Sequence, residues 1–371
     1  MTPKTAALAA VFGARMFTGY TITTMSENIA LYRKYRPSSF ADVRDQDHIV
    51  SVLEGAIKKD AVPHAMIFSG TRGTGKTTMA RIVAKELGVA DVDLYEIDAA
   101  SNRGIDDIRE LKEAVHTLPY QSTKKVYIID EVHMLTKEAF NALLKTIEEP
   151  PAHVVFMMAT TEIDKVIDTI LSRCQVFTLH SPSREVLAKT VTDVAKKEGF
   201  ELKPAAADMI AIAADGSFRD ALGVLQKVIL ASGDTIGDAD EVATIIGAPK
   251  NAALEALVTA LHEHNAEAGL KAIADVVATQ SDMQLFTRLL LERLRAVMLV
   301  RNAPGDADAL LTKLPESAAA QVNQLAAEAK SPLNSHMLLK LLEAAQLVRR
   351  SSIPQLPLEV FVVEVCNKDN K

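Results

Sequence analysis

Nine consecutive residues constrain this chain more than any other stretch: Gly70-Thr71-Arg72-Gly73-Thr74-Gly75-Lys76-Thr77-Thr78. They fit Gly-x-x-x-x-Gly-Lys-[Ser/Thr], the phosphate-binding P-loop. The flanks strengthen the match. Ala65-Met66-Ile67-Phe68 has the length and apolarity of a short buried strand, and Thr77 to Leu87 sets Met79, Ile82, Val83 and Leu87 on one helical face. Phosphate binding requires this succession of strand, glycine loop and helix. Glycines let the chain turn sharply and aim several backbone N–H groups at one anion. The helix N-terminus adds the positive end of its dipole. Lys76 is expected to reach the β- and γ-phosphates of ATP, and the Thr77 hydroxyl to hold Mg²⁺. The plain alternative is a glycine turn ahead of an ordinary helix.

Around this loop, helical and extended patterns alternate. A helix is expected from Gln46 to about Lys59, a strand over Asp93–Ile97 and a helix over Ile105–Val115. Lys125–Ile129 reads as a buried β-branched strand. Lys137–Glu149 reads as a helix stopped by Pro150-Pro151, and Val154–Ala159 as a further strand. Such alternation implies an α/β fold with a parallel, doubly wound sheet and ligands at the C-terminal strand ends. The P-loop, Asp130-Glu131 and Thr161 all fall at such ends. Asp130 is expected to bind Mg²⁺ through water, and Glu131 to orient and polarise an attacking water. His133 reads as an ordinary histidine flanking a helix. Thr161 either senses the γ-phosphate or turns its hydroxyl onto local backbone.

Ahead of the P-loop strand lies a basic, aromatic segment, Leu31-Tyr32-Arg33-Lys34-Tyr35-Arg36-Pro37, followed by Phe40-Ala41-Asp42-Val43. It would wrap an adenine, with Tyr32 and Val43 as apolar walls, or pack as a plain N-terminal arm. After Leu179 the strand patterns stop. Ser181-Pro182 is expected to cap a helix running to about Glu198, with Gly199 ending it. Helices over Pro204–Ala214, Ser217–Ala231 and Asp238–Ile246 complete a small helical domain, and Gly247-Ala248-Pro249 reads as a hinge. Further helices are expected near Ala252–His264, Glu267–Ala278, Asp282–Arg301, Glu316–Ala329 and Leu333–Arg349. The expected division is a tail over 1–27, an ATPase domain over 28–180, a helical domain over 181–247 and an all-helical domain over 248–371. The tail, rich in Thr and Ala, reads as disordered or as an upstream start with Met25 as a second candidate; a targeting peptide is the alternative, against which stand its short apolar stretch and the lack of a clean cleavage site.

Two arginines stand apart. Arg173 follows a short helix, where a cation favours the dipole; it is either that or a finger reaching a neighbour's phosphate. Arg219 lies in the first turn of a helix, where a cation opposes the dipole, and an anionic ligand would supply the reason. The net charge of −7 argues against a generally basic nucleic-acid coat. No apolar run reaches the length of a membrane span. The two cysteines, Cys174 and Cys366, are too few for a disulfide framework or a four-cysteine zinc site. A cytoplasmic location with reduced thiols is expected.

Taken together, several stretches make the chain resemble the bacterial clamp-loader motor subunits of the gamma/tau type, within the AAA+ ATPase class. They are Tyr32–Pro37, the P-loop, Glu96-Ile97-Asp98-Ala99-Ala100-Ser101, Ile129-Asp130-Glu131-Val132-His133-Met134-Leu135, Asn141–Pro151, Leu171-Ser172-Arg173-Cys174 and Gly216-Ser217-Phe218-Arg219-Asp220-Ala221-Leu222. The resemblance spans about Leu31 to Cys366. It implies that Thr161 is sensor 1, Arg219 sensor 2 and Arg173 a finger acting in trans. It implies a helical lid and a C-terminal collar through which five subunits assemble, with a sliding clamp and primer-template DNA as partners. DNA phosphates would meet the helix N-termini after Arg103-Gly104 and near Thr136.

The sequence departs from this family pattern in two places. The family's four-cysteine zinc module is missing, because Leu87–Asp93 joins the P-loop helix directly to the next strand; no zinc is expected. Arg44-Asp45 also stands where the family usually has an apolar residue and glycine. Two rival readings are a related branch-migration motor and a non-hydrolysing clamp-loader scaffold. The helical C-terminal third argues against the first, and intact Lys76, Thr77, Asp130 and Glu131 against the second.

Overall fold

A computed structural model describes residues 29–232, 239–303, 305, 311, 314, 316–328 and 331–367. The expected tail over 1–27 lies outside the described residues. Five strands form one sheet: β1 (Ala65–Ser69), β2 (Leu94–Asp98), β3 (Lys125–Asp130), β4 (Val154–Thr160) and β5 (Gln175–Thr178). Their order is β2-β3-β4-β1-β5, with every pairing parallel.

Period-two alternation divides the central strands between two cores. Met66, Phe68, Val126, Ile128 and Met157 pack with α2 (Asp47–Lys58) and α3 (Lys76–Glu86) on one face. Ile67, Tyr127, Ile129, Phe156 and Met158 pack on the other face with α4 (Ile105–Val115), α5 (Lys137–Glu148) and α6 (Asp168–Leu171). Because both faces are covered, β1 and β4 are buried along their whole length. The edge strand β5 is absent from the sequence expectation. Only Phe177 of its four residues is buried, so it carries neither an apolar run nor a clear alternation.

The arm before β1 opens with a short helix, α1 (Leu31–Lys34). A second helical layer follows the sheet: α7 (Arg184–Lys197), α8 (Pro204–Ala213), α9 (Phe218–Ala231) and α10 (Ala239–Ile245). The helix expected after Ser181-Pro182 starts later, because Ser183 is the residue whose hydroxyl accepts the Val186 N–H. The core of this layer takes in Leu31, with Tyr32 and Tyr35 packed against it. The arm therefore belongs physically to the helical layer as much as to the sheet.

The remaining helices share one core: α11 (Asn251–His262), α12 (Ala266–Ala278), α13 (Met283–Asn302), α14 (Glu316–Ala327), α15 (Ser335–Val348) and α16 (Leu356–Cys366). The last was not expected. Val360-Phe361-Val362-Val363 favours a strand by intrinsic propensity. Helical spacing nevertheless buries Leu358, Phe361, Val362 and Cys366 together, and tertiary packing wins. Among the described residues no helix is long and apolar enough to cross a membrane.

Candidate nucleotide site

The P-loop connects β1 to α3 and bends through three glycines with positive φ: Gly70 at 146°, Gly73 at 76° and Gly75 at 105°. Two of them also admit close neighbours. A Cβ on Gly70 would lie 2.6 Å from the Leu179 carbonyl oxygen, and one on Gly73 only 1.9 Å from Ser217 Oγ. Thr74 Oγ1 donates to the Thr71 carbonyl at 2.9 Å, and the hydroxyls of Thr71 and Ser181 lie 2.7 Å apart.

Lys76 is buried, with its ammonium donating to the Gly70 and Thr71 carbonyls at 3.0 and 2.9 Å. Burial pushes its pKa below the ordinary lysine value against the opposing pull of Glu131 and Asp130, and Arg219 lowers it further. Thr77 Oγ1 donates to Asp130 Oδ2 at 2.8 Å. A hydroxyl and a carboxylate so paired are hard oxygen donors of the kind that hold Mg²⁺, so these residues fit that ion.

Glu131 adopts a left-handed conformation with φ 48°, unusual for a residue with a side chain. Its Oε2 accepts from the Thr161 N–H at 3.2 Å and the Thr161 hydroxyl at 3.0 Å. The Thr161 hydroxyl therefore bonds the acidic residue, and local backbone is not its partner. His133 is more involved than a flanking residue. Its ring is nearly buried, with Nδ1 3.0 Å from Thr160 Oγ1 and 3.5 Å from Glu131 Oε2, and Nε2 3.4 Å from Glu162 Oε1. Thr160 Oγ1 also accepts the Glu162 N–H. The sequence reads His133 as an ordinary flanking histidine and gives Thr160 no role, since the roles of both depend on β3 and β4 lying side by side.

A cavity of about 1270 Å³ opens beside the loop. Of the expected nucleotide contacts, Tyr32, Arg36, Pro37, Val43, Arg72, Gly73, Thr74, Gly75, Thr78 and Arg219 line it. Arg36 Nε donates to Thr78 Oγ1 at 2.9 Å. Burial lowers the Arg36 pKa, and the neighbouring positive charges of Arg81 and Arg219 add to the effect. Cations thus crowd one concave surface of a chain whose net charge is −7, which focuses positive potential there. Leu179, Thr190, Val194, Phe218 and Leu222 also line the cavity, and the sequence did not flag any of them. Leu179 reaches it from the end of β5, and the other four because the helical layer folds over the loop, where the Phe218 N–H donates to the Gly73 carbonyl at 3.1 Å.

The two unusual residues after Val43 tie the same layers together. Arg44 donates to Thr190 Oγ1 at 3.1 Å and to Asp193 Oδ2 at 2.9 Å. Asp45 accepts the Ser183 N–H and has φ 61°, which explains why a glycine is at home there and why Asp, which tolerates this region, can replace it.

Other expected residues lie elsewhere. Arg173 donates to the Thr169 carbonyl at 2.9 Å, to Ser172 and to Glu148, as a cation at the end of α6 would. The N-termini of α4 and α5 are neighbours, with the Thr136 N–H donating to the Arg103 carbonyl at 3.3 Å. Asp106 and Asp107 occupy the first turn of α4, Asp107 accepting the Gly104 N–H, and the Thr136 hydroxyl caps α5. Cys174 is half-buried and Cys366 buried; burial pushes the Cys174 thiol up to about 12.

Comparison with known proteins agrees with this architecture. A family model described as DNA polymerase III, delta subunit matches residues 86–183. The clamp loader subunit ATPase lid domain matches 187–234, and domain III of subunits gamma and tau matches 238–370. The chain is 35% identical over 367 residues to DNA polymerase III subunit tau of Bacillus subtilis, covering 92% of this chain and 64% of the relative. It is 35% identical to the gamma/tau subunit of Mycobacterium tuberculosis, covering 90% and 61%. The tau subunit of Escherichia coli is 38% identical over 296 residues, covering 74% and 46%. The chain thus spans less than two thirds of these relatives' own length. A RuvB mutant structure from Thermotoga maritima superposes with a TM-score of 0.50 at 22% identity, covering 62% of this chain and 81% of that one, a likeness of AAA+ fold. With matches that run from the P-loop helix to the last helix, the chain belongs to the DNA polymerase III gamma/tau family.

Proposed function

We propose that the chain is the ATP-hydrolysing motor subunit of a bacterial clamp loader, acting in the cytoplasm within a hetero-pentamer to open a sliding clamp and load it onto primer-template DNA. The observation that carries the reading is the pairing of Thr77 with Asp130 and of Thr161 with Glu131 beside a buried Lys76. ATP would lie with its phosphates in the P-loop and its base between Tyr32, Val43 and the helical layer. Thr77 and, through water, Asp130 would hold Mg²⁺, which when bound would supply charge neutralisation on the phosphate oxygens. Lys76 would leave the two carbonyls for the phosphates. The Thr161 hydroxyl would turn to the γ-phosphate, freeing Glu131 to orient and polarise the water. Arg219 would neutralise charge from the lid side.

Arg173 would act on a neighbouring subunit's nucleotide once assembly draws it from Glu148. Loss of such a finger costs about 10³–10⁵ in rate and less in ground-state binding. DNA phosphates would lie near Arg103, Gly104 and Thr136 in the assembled spiral, where the helix N-termini of several subunits would act together against the opposing charge of Asp106 and Asp107 in each. The test is ATP hydrolysis by the assembled complex with and without clamp and primer-template DNA, where stimulation by both is expected. Tight, nucleotide-independent DNA binding by the isolated chain would overturn the reading. Mixing Arg173→Ala subunits with Lys76→Ala subunits should restore hydrolysis where a sound finger faces a sound P-loop. No recovery, with assembly verified, would mean that Arg173 acts within its own chain.

A further inference from the structure

The lid wall of the cavity is tied to the C-terminal helices at two places among the described residues: Arg184 of α7 faces Glu292 of α13 at 3.7 Å, and a turn over residues 215–219 makes the closer link. At one end of the turn, Asp215 has φ 51°, a left-handed conformation that Asp tolerates better than most residues with a side chain. Its carboxylate faces two guanidinium groups, from Arg288 on α13 at 2.8 Å and from Arg349 at the end of α15. Arg288 also donates to the Ile212 and Ala213 carbonyls at 2.6 and 3.3 Å, so one side chain closes the last turn of α8 and pins the residue beyond it. At the other end, Ser217 caps α9, Phe218 donates its N–H to the Gly73 carbonyl, and Arg219 lines the cavity. Gly73 and Ser217 approach so closely that a Cβ on Gly73 would lie 1.9 Å from Ser217 Oγ.

We propose that Arg288 is a positioning residue for the nucleotide site: through Asp215 it sets the turn that places Arg219 against the P-loop, so nucleotide binding and the seating of α13 on the lid are coupled. The inference rests on the reading of the cavity as a nucleotide site. Coupling of this kind is reciprocal: nucleotide that orders Gly73 and Arg219 also favours the arrangement in which α13 grips Asp215. A purely structural ion pair at a partly exposed surface would contribute little and would not reach the P-loop.

The test uses the full chain with mant-ATP and Mg²⁺, together with amide hydrogen exchange in the absence of nucleotide. Arg288→Gln is expected to weaken mant-ATP binding by roughly 5- to 50-fold and to speed exchange at the Phe218 N–H. Asp215→Gly keeps the positive φ while removing the carboxylate, and should do the same. The double variant should fall well short of the product of the single effects, because both cut the Arg288–Asp215 link, although Arg288→Gln also frees the Ile212 and Ala213 carbonyls and Asp215→Gly also frees Arg349. If Arg288→Gln does not fold, Asp215→Gly decides. A folded variant that binds within twofold of the wild type, or single effects that multiply in the double variant, would overturn the inference and leave the nucleotide reading standing. Failure of the wild-type chain to bind mant-ATP would overturn both.

Discussion

The phosphate end of the cavity is lined by Arg72, Gly73, Thr74, Gly75 and Thr78, all from one loop of nine residues, whereas the opposite end is assembled from residues as distant as Tyr32 and Leu222. At the phosphate end, backbone conformation does most of the work: three positive-φ glycines and a buried lysine leave little room for variation. At the other end, an arm, a strand end and two lid helices meet through van der Waals contact and partly exposed polar pairs such as Arg44–Asp193. The first kind of wall is stiff and intolerant. The second can absorb substitutions such as Arg44-Asp45, provided the layers still meet. The comparison predicts graded losses.

The largest effect should come from Lys76→Ala. It removes the buried cation proposed to meet the phosphates, and truncating one partner of such a charge pair costs about 2–5 kcal/mol or more. Nucleotide binding, measured by calorimetry, should become undetectable, whereas Glu131→Gln should keep binding and lose phosphate release. Normal binding by Lys76→Ala would sink the P-loop assignment.

Gly73→Ala should come next, because it strikes where the two ends join. Its φ of 76° and the 1.9 Å approach to Ser217 Oγ mean that either the loop or the lid must shift. Strain of about 1–3 kcal/mol should lower the melting temperature and weaken nucleotide binding at least tenfold. Alanine tolerated without either change would show that the lid does not seat on the loop.

Arg44→Ala should be milder. The pair with Asp193 is more than a third exposed on both sides, and such pairs contribute roughly 0–1 kcal/mol. A fall of a few-fold in nucleotide affinity, with no change in the Glu131-dependent step, is expected by fluorescence titration. Complete loss of binding would erase the contrast between the two ends.

The smallest effect on nucleotide belongs to Asp93, remote from both ends. Burial alone would raise its pKa, but the N–H groups of Tyr120, Gln121 and Ser122 outweigh that and hold it at about 2, against an ordinary 3.8. A depressed acid stabilises the fold above its unfolded pKa, and that contribution is lost as pH falls through about 2. Asp93→Asn should therefore flatten the acid side of the stability curve between roughly pH 4 and 2 and leave mant-ATP affinity unchanged. A changed affinity would mean that the far edge of the sheet communicates with the site.

Sequence alone determined what is local. The P-loop, the strands with apolar runs, the helices with clear faces and the acidic pair after β3 are each set by a few neighbouring residues, so their signals survive without a partner. The parallel α/β sheet follows from their alternation, and the family was legible in the motifs. The short edge strand β5 and the Val-rich helix Leu356–Cys366 were not, since one has too little pattern and the other obeys packing against its intrinsic preference. Only the tertiary structure decided that His133 lies between Thr160 and Glu131, that Thr161 bonds Glu131, that Leu31 enters the lid core and that Arg288 reaches the turn leading to Arg219. Each of these contacts joins elements distant in sequence, and their distances are set by how the layers stack, which no short stretch of residues encodes.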